Sequence, residues 1–293
     1  MSAPSQDNAL RSAVYWRALI YSVLIVIAVI YLAPLFVMVV TSLKSLDEIR
    51  SGNMMALPIQ VTFEPWIQAW GSACLGLECS GIKGFFWNSI KMVVPAVAIS
   101  ALLGAFNGYV LTKWRFPGHN IVFGLMLFAC FIPFQIVLLP MSQVLGFLGL
   151  ANTTSGLVLV HVVDGLGFTT LFFRNYYEAF PNELIRAAIM DGAGFFTIFK
   201  RVLLPSSGPI IVVSVIWQFT NIWNDFIFGA SFASGASAPI TVALNNLVNS
   251  STGVKEYNVH MAAAITAALP TLLVYVVAGR YFVRGLMAGS VKG

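Results

Sequence analysis

One helical segment of the chain carries amide, carboxyl and aromatic side chains at spacings that place them on one face. At about 100 degrees per residue, polar and aromatic positions between 217 and 228 recur on a single stripe. Amides and a carboxylate can each bond two neighbouring hydroxyls, while an aromatic face can cover the apolar side of a pyranose ring. The stripe predicts reversible binding of a polyhydroxylated solute, with the candidate residues Trp217, Gln218, Asn221, Asn224, Asp225 and Phe228.

The same residues have a second interpretation. A polar residue inside a membrane is expensive, roughly 2.5–3.5 kcal/mol for a central Asp, so it faces either a cavity or a partner. The stripe could therefore line a translocation pathway, or it could pack against a partner subunit in the membrane with internal hydrogen bonds. Gln135, between Pro133 and Pro140, is a further lining candidate, because these prolines are expected to bend or break their helix and broken helices are common at transport sites.

His161 and Asp164 lie three residues apart and therefore share a helix face. They could form a proton relay, or a polar contact between helices. The three histidines lie in separate segments, with no Cys or carboxylate at metal-ligand spacing. The sequence also has no nucleophile–base pair and no P-loop. We therefore predict no catalytic residue, no metal and no cofactor bound by this chain.

The elements that must position these residues are membrane helices. Hydrophobic residues make up 58% of the chain and charged residues 9%, with a mean hydropathy of +0.85, whereas a soluble domain carries roughly 25% charge. A span needs about 20 apolar residues. The sequence predicts an all-α membrane protein, one transmembrane domain over residues 1–293 with six spans at about 17–43, 85–112, 120–147, 153–173, 206–232 and 260–282.

The distribution of Lys and Arg between the loops predicts the orientation, since positive loops remain in the cytoplasm. With the N-terminus inside, most of the positive residues fall on the inner side. The outer loops hold Lys44, Arg50, Lys83 and Lys255. Both termini and the segment 176–205 are thus predicted to be cytoplasmic. The net charge of +5 reflects this asymmetry and indicates no nucleic-acid partner.

Cys74 and Cys79 fall in the exported loop between the first two predicted spans. In an oxidising compartment they could pair. They could equally be two unpaired small residues. Cys130, inside the third span, is expected to serve packing.

Segment 176–205, YYEAFPNELIRAAIMDGAGFFTIFKRVLLP, is a polar insertion too long for a tight turn between spans. Asn182 after Pro181 predicts a capped helix start, and Asp191-Gly192 predicts a sharp turn. A second helical run is expected over 193–203, ending before Pro205. The prediction is a helix-turn-helix that docks on a partner, and the alternative is an amphipathic hairpin on the bilayer surface.

The run ELIRAAIMDGA followed by RVLLP resembles the EAA loop of ABC importer permeases, Glu-Ala-Ala-x-x-x-Gly with a later apolar-Leu-Pro ending. The family's usual Glu is Arg186 here, one turn after Glu183, and its role is carried onto neither residue. In that family the loop is a coupling helix seated in a cleft of the ATPase subunit. The resemblance implies ATPase coupling through the surface that holds Glu183, Arg186, Ala187, Ala188, Asp191, Gly192 and Ala193.

Three further stretches, TSLK at 41–44, WNDF at 223–226 and GLMAGSVKG at 285–293, resemble sugar-importer permeases similar to the second maltose permease subunit. The overall similarity is closest to permeases described for glucose or mannose. It implies a subunit of the bacterial cytoplasmic membrane that forms a heterodimer with a homologous permease. Two ATP-binding subunits, which would hold ATP and Mg, and an external solute-binding protein would complete the importer. In the family the tail lies near the ATPase interface, which implies a second contact through Val291, Lys292 and Gly293.

Two other functions stay open at this point. Within the same class, the solute could be a polyol or glycerol phosphate. In a different class, the chain could be an ion-coupled secondary transporter that uses His161, Asp164 and Asp225. Dependence of uptake on an ATPase, and not on a proton gradient, would separate the two classes.

Overall fold

The computed structural model describes residues 6–53, 55–76, 78–249 and 255–290, with side chains described between 14 and 279. Helices dominate this part of the chain, so the predicted all-α class is confirmed. The helices before the loop at 179–181 are α1 Gln6–Ser42, α2 Leu46–Ser51, α3 Glu64–Gly71, α4 Lys83–Thr112, α5 His119–Cys130, α6 Phe134–Phe147 and α7 Thr154–Glu178. Those after it are α8 Asn182–Met190, α9 Phe195–Ile198, α10 Leu204–Ser206, α11 Gly208–Asn224, α12 Ile227–Phe232, α13 Ile240–Asn249 and α14 Tyr257–Ser290.

Within the described ranges, four helices are long and apolar enough to cross a membrane, over Val14–Ser42, Lys83–Thr112, Thr154–Glu178 and Tyr257–Gly279. Two bent helix pairs reach the same length when each pair is counted as one span. These pairs are α5 with α6, at 103°, and the segment Phe195–Ser206 with α11, at 78°. Counting each pair once gives up to six candidate spans by length and composition, which is the number expected from the sequence.

The two prolines of the third span have different effects. The helix is interrupted over 131–133, and Pro133 takes an extended conformation just before α6 begins. Pro140, by contrast, lies inside α6 without ending it. A proline can be tolerated within a membrane helix because neighbouring groups satisfy the freed carbonyl.

The fifth span differs most from its prediction as a continuous helix over 206–232. Helix α9 continues through a π-helical turn, Phe199–Leu203, into α10, so Pro205 lies inside the helix and does not terminate it. The axis then bends at Ser207, before α11. A second break follows at Asp225, where the backbone is extended, and α12 starts anew at Ile227.

Helices α4 and α7 form the tightest helix pair. A Cβ atom on Gly104 would lie 2.7 Å from Thr169 Cβ, and one on Gly108 would lie 2.8 Å from Phe173 Cβ. Small residues four apart allow membrane helices to approach closely where larger side chains would collide. This pair therefore forms the rigid support against which α11 packs.

Two apolar cores lie along this support. One is built around Met92, Leu157, Trp223 and Val259, and it includes α3 and the loop before α4. The disulfide Cys74–Cys79 closes a two-stranded hairpin in that loop, β1 Cys74–Leu75 and β2 Glu78–Cys79, which decides the open question in favour of pairing. The second core, around Tyr109, Phe173, Tyr177 and Leu203, supports the segment 176–206.

Candidate functional site

A cavity of about 520 Å³ opens between α7, α11 and α12. Six of the seven predicted pathway residues line it, namely the whole stripe. Gln135 does not: it is exposed on α6, away from this cavity, so its predicted role gains no support from the geometry. The lining comprises Cys130, His161, Asp164, Gly165, Phe168, Trp217, Gln218, Thr220, Asn221, Ile222, Asn224, Asp225 and Phe228.

The Asp225 side chain is hydrogen-bonded to the neighbouring backbone. Its Oδ1 accepts hydrogen bonds from the backbone N–H groups of Ile227 and Phe228, at 3.2 and 3.3 Å, and its Oδ2 accepts one from Gly229 at 3.1 Å. Thr241 donates to its carbonyl oxygen at 2.6 Å. A carboxylate that satisfies the free N–H groups of a first helical turn acts as a cap. Asp225 thus stabilises the break between α11 and α12.

The Gln218 side chain is likewise hydrogen-bonded within this chain. It is 2% exposed, and its Nε2 donates to Ser100 Oγ and to the carbonyl oxygen of His161, both at 3.2 Å. Gly165 makes this possible, since a Cβ at that position would lie 1.8 Å from Gln218 Nε2. Gln218 therefore ties α4, α7 and α11 of this chain together.

The remaining stripe residues present free surface. Asn221 is exposed to the cavity and its side chain makes no hydrogen bond to the described residues, while Asn224 has only a 3.5 Å contact with Thr271 Oγ1. Trp217 is 37% exposed, with ring centroids 5.7 Å from Phe168 and 5.8 Å from Phe172. These amides and rings have the chemistry that a saccharide surface requires.

His161 and Asp164 both border the cavity, as their shared face predicts. The carboxylate nearest to His161 is nevertheless that of Asp225, at 3.8 Å from Nε2, which is too long for a hydrogen bond. Phe168 was missed from the sequence. It lies one helical turn after Asp164, so extending the stripe of α7 by four residues would have found it.

The second candidate site is the segment 176–206. Helix α8 ends at Met190 and the chain turns at Gly192, whose φ of +80° is in the left-handed region that favours glycine. Asn182 is not the cap that the sequence suggested: it is the first residue of α8. Its Oδ1 instead accepts a hydrogen bond from Lys113 Nζ at 2.7 Å.

Lys113 anchors α8 to the end of α4. Its Nζ also donates to the carbonyl oxygen of Phe180 at 2.8 Å, and burial lowers the pKa of this ammonium group. Three tyrosine hydroxyls bond the C-terminal part of the segment and the residue after it. Tyr109 donates to Phe195 O and Tyr176 donates to Ser206 O, while the hydroxyls of Tyr177 and Ser207 bond each other. The segment is therefore fixed at both ends to α4 and α7.

Helix α8 buries a single side chain, that of Ile185. Its large apolar residues are otherwise exposed, Leu184 at 52% and Met190 at 88%, as is Phe196 of α9 at 72%. Ala188 and Ala193 are half-buried, while the charged and small residues around them are exposed, namely Glu183, Arg186, Ala187, Asp191 and Gly192. A helix that exposes apolar side chains on a protruding loop is typical of an interaction surface.

Arg186 borders a hollow of about 350 Å³ together with Lys113, Arg115 and Glu178. Arg115 and Glu178 form an exposed ion pair at 2.8 Å. The tail residues Val291, Lys292 and Gly293 lie outside the described residues, so their predicted contact stays a prediction. No group of metal-binding side chains occurs within the described ranges.

Bent and broken membrane helices around a polar cavity, with an exposed helical loop at one end, define a membrane transport component. The chain belongs to the family described as binding-protein-dependent transport system inner membrane component, whose model matches residues 96–287. The resemblance to importer permeases is thus confirmed.

Relatives along nearly the whole chain agree. A probable ABC transporter permease of Pyrococcus horikoshii is 38% identical over 94% of this chain and 98% of its own length. An osmoprotective compounds uptake permease of Synechocystis is 33% identical over 98% and 96%, and a xylose/arabinose import permease of Haloferax volcanii is 30% identical over 91% and 90%. A bacterial ABC transporter for the acidic polysaccharide alginate has the same fold, with a TM-score of 0.79 and 20% identity over 96% of this chain and 100% of that one.

Proposed function

We propose that this chain is the permease subunit of an ABC importer for a sugar, with glucose or mannose as the first candidates. The observation that carries the proposal is the cavity of about 520 Å³, in which the free amide of Asn221 and the amide of Asn224, with its one long contact, lie beside Trp217 and Phe168. Amides bond hydroxyl pairs and aromatic rings cover apolar ring faces. The name of the Haloferax volcanii relative supports a sugar, while that of the Synechocystis relative keeps an osmoprotective compound as an alternative.

The chain would work with partners. A homologous permease would complete the pathway, two ATPase subunits would bind ATP and Mg, and an external binding protein would deliver the solute. The exposed apolar residues Leu184, Met190 and Phe196 support docking of the segment 176–206 on an ATPase, because burying them there would recover hydrophobic free energy. In the proposed orientation both termini would lie in the cytoplasm. ATP-driven closure of the ATPases would then bias the permease between two states of the pathway.

The test is uptake by the complete transporter in proteoliposomes that contain ATP inside and the binding protein outside. We expect accumulation of labelled glucose or mannose that requires ATP and survives a protonophore. Uptake that instead requires a proton gradient would favour the secondary transporter built on His161, Asp164 and Asp225. A labelled polyol taken up in place of both hexoses would overturn the proposed solute and leave the transport class intact.

A further inference from the structure

The charged side chains described in the cavity lining, apart from the titratable His161, are acidic. The lining includes the carboxyl groups of Asp164 and Asp225, and it includes no Lys or Arg. In a low-dielectric surrounding such charges act more strongly than in water. A charged solute that enters this cavity therefore meets carboxylates, without a compensating Lys or Arg among the described residues of the lining.

The two carboxyl groups differ in how far they are already engaged. Asp225 is bonded by three backbone N–H groups, as described above. Asp164 is exposed to the cavity and forms no hydrogen bond or ion pair with the described residues. An unengaged carboxyl group at membrane depth is costly, so its position points to a role in contact with what enters the cavity.

A second observation points to a ligand at the same place. His161 lines the cavity and is 3% exposed, and its buried Nε2 has no hydrogen-bond partner in the described chain. Thr220 is also a lining residue, and its buried Oγ1 likewise has no partner there. A buried polar atom without a partner costs about 1–3 kcal/mol, and a hydroxyl or amine of a solute would remove that cost.

From these features we infer that the cavity selects solutes by charge: it takes neutral and amine-bearing saccharides and repels acidic ones, with Asp164 as the discriminating residue. The inference rests on the proposed function, because it names the solute class for the same cavity. It also disfavours glycerol phosphate, whose phosphate would have to pass Asp164 without a Lys or Arg among the described residues that line the cavity.

The chain supplies its own reporter for a test. Of its three cysteines, Cys74 and Cys79 are bonded to each other and Cys130 is free, and Cys130 lies in the cavity lining. In the purified complete transporter, Cys130 would be reacted with cationic trimethylammonium-ethyl methanethiosulfonate or anionic sulfonatoethyl methanethiosulfonate. Mass spectrometry of the peptide that carries Cys130 would give both rates, and their ratio cancels the intrinsic reactivity of the thiol.

We expect Asp164→Asn to lower the ratio of cationic to anionic rates about tenfold, because one charge acts with opposite sign on the two reagents. Asp164→Lys should lower it further. Asp47→Asn, the same change in α2 and away from the cavity, should leave it unaltered. A neutral methyl methanethiosulfonate that reacts equally fast in all variants shows that the cavity is intact. Asn221→Cys in a Cys130→Ser background repeats the measurement at a second position.

A ratio that is the same in the wild type and in Asp164→Asn at both positions would overturn the inference. The measurement does not require transport. A transporter that takes up no sugar but shows the tenfold change would therefore overturn the proposed function alone, whereas one that imports sugar with an unchanged ratio would overturn the charge selection alone.

Discussion

The two candidate sites of this permease use polar and apolar side chains in opposite ways. In the cavity, the hydrogen bonds of Gln218 hold neighbouring helices together and those of Asp225 stabilise a helix break, whereas the Asn221 side chain has no hydrogen bond to the described residues. In the segment 176–206, the polar side chain of Lys113 holds α8 from behind while the apolar Leu184 and Met190 are exposed. At membrane depth the informative residue is thus an unbonded polar one, and at the water-facing end it is an exposed apolar one.

The difference follows from the solvent on each side. An unpaired polar group inside a bilayer has no water to bond, so most intramembrane polar residues find partners within the protein. At an aqueous surface, polar groups are satisfied by water, and exposed apolar area is what a partner can cover. The cavity is therefore recognised by its unbonded polar side chains, and the exposed loop by its exposed apolar side chains.

The largest effect is expected at the turn of the exposed loop. Gly192→Val places a β-branched residue at a φ of +80°, a conformation that costs L-residues about 1–2 kcal/mol or more, although the space around it is empty. The change should redirect α9 relative to α8. We expect ATP-driven uptake in proteoliposomes to fall about tenfold or more, within the usual range of coupling energies.

Gly194→Ala is the matched control for this variant. Gly194 has a φ of −79° and also has empty space around it, so an added methyl group should be tolerated. Both variants should insert and purify in amounts equal to the wild type. Normal uptake by Gly192→Val, at normal protein levels, would show that the geometry of this turn does not matter for coupling.

A smaller and more selective effect is expected inside the cavity, where two amides of the same stripe are compared. Gln218→Ala leaves Ser100 Oγ and the His161 carbonyl without their donor, at about 1–3 kcal/mol for each buried group, so the melting temperature of the complex should fall by several degrees. Asn221→Ala removes no bond within the described chain, so it should reduce sugar uptake at an almost unchanged melting temperature. Equal melting temperatures for the two variants would erase the distinction between structural and free amides.

The sequence predicted the helical class, the turn at Asp191-Gly192 and the stripe of α11, because each depends on local periodicity or on one residue type. It did not separate Gln218 from Asn221. Both are amides at equivalent helical positions, and only the close approach of α7, made possible by Gly165, gives Gln218 its acceptors. Periodicity shows which face a residue shares, whereas its hydrogen-bond partners depend on which helix packs there.

The helix breaks were also only partly predictable. Pro133 and Pro140 have the same intrinsic effect on a helix, yet the helix is interrupted only at Pro133. Conversely, the break at Asp225 contains no proline, and it is stabilised by three hydrogen bonds to the Asp225 carboxylate. In both cases the outcome depends on which backbone groups find partners, and that is a tertiary property.

The smallest effects should distinguish the two cations behind α8. Lys113 is half-buried and donates to two acceptors, Phe180 O and Asn182 Oδ1, whereas the Arg115–Glu178 pair is exposed, at 57% and 49% for the two side chains. An exposed ion pair contributes about 0–1 kcal/mol, while a hydrogen bond from a charged donor contributes about 1.5–3 kcal/mol, and the bond of Lys113 to Phe180 is partly buried. Lys113→Met should therefore loosen α8, and amide hydrogen exchange over 182–190 should become severalfold faster. Arg115→Met removes the same charge and keeps an aliphatic chain, so exchange there should remain close to that of the wild type. Unchanged exchange in Lys113→Met would show that the bonds of Lys113 do not hold α8. Equally fast exchange in Arg115→Met would show that the two cations do not differ in this role.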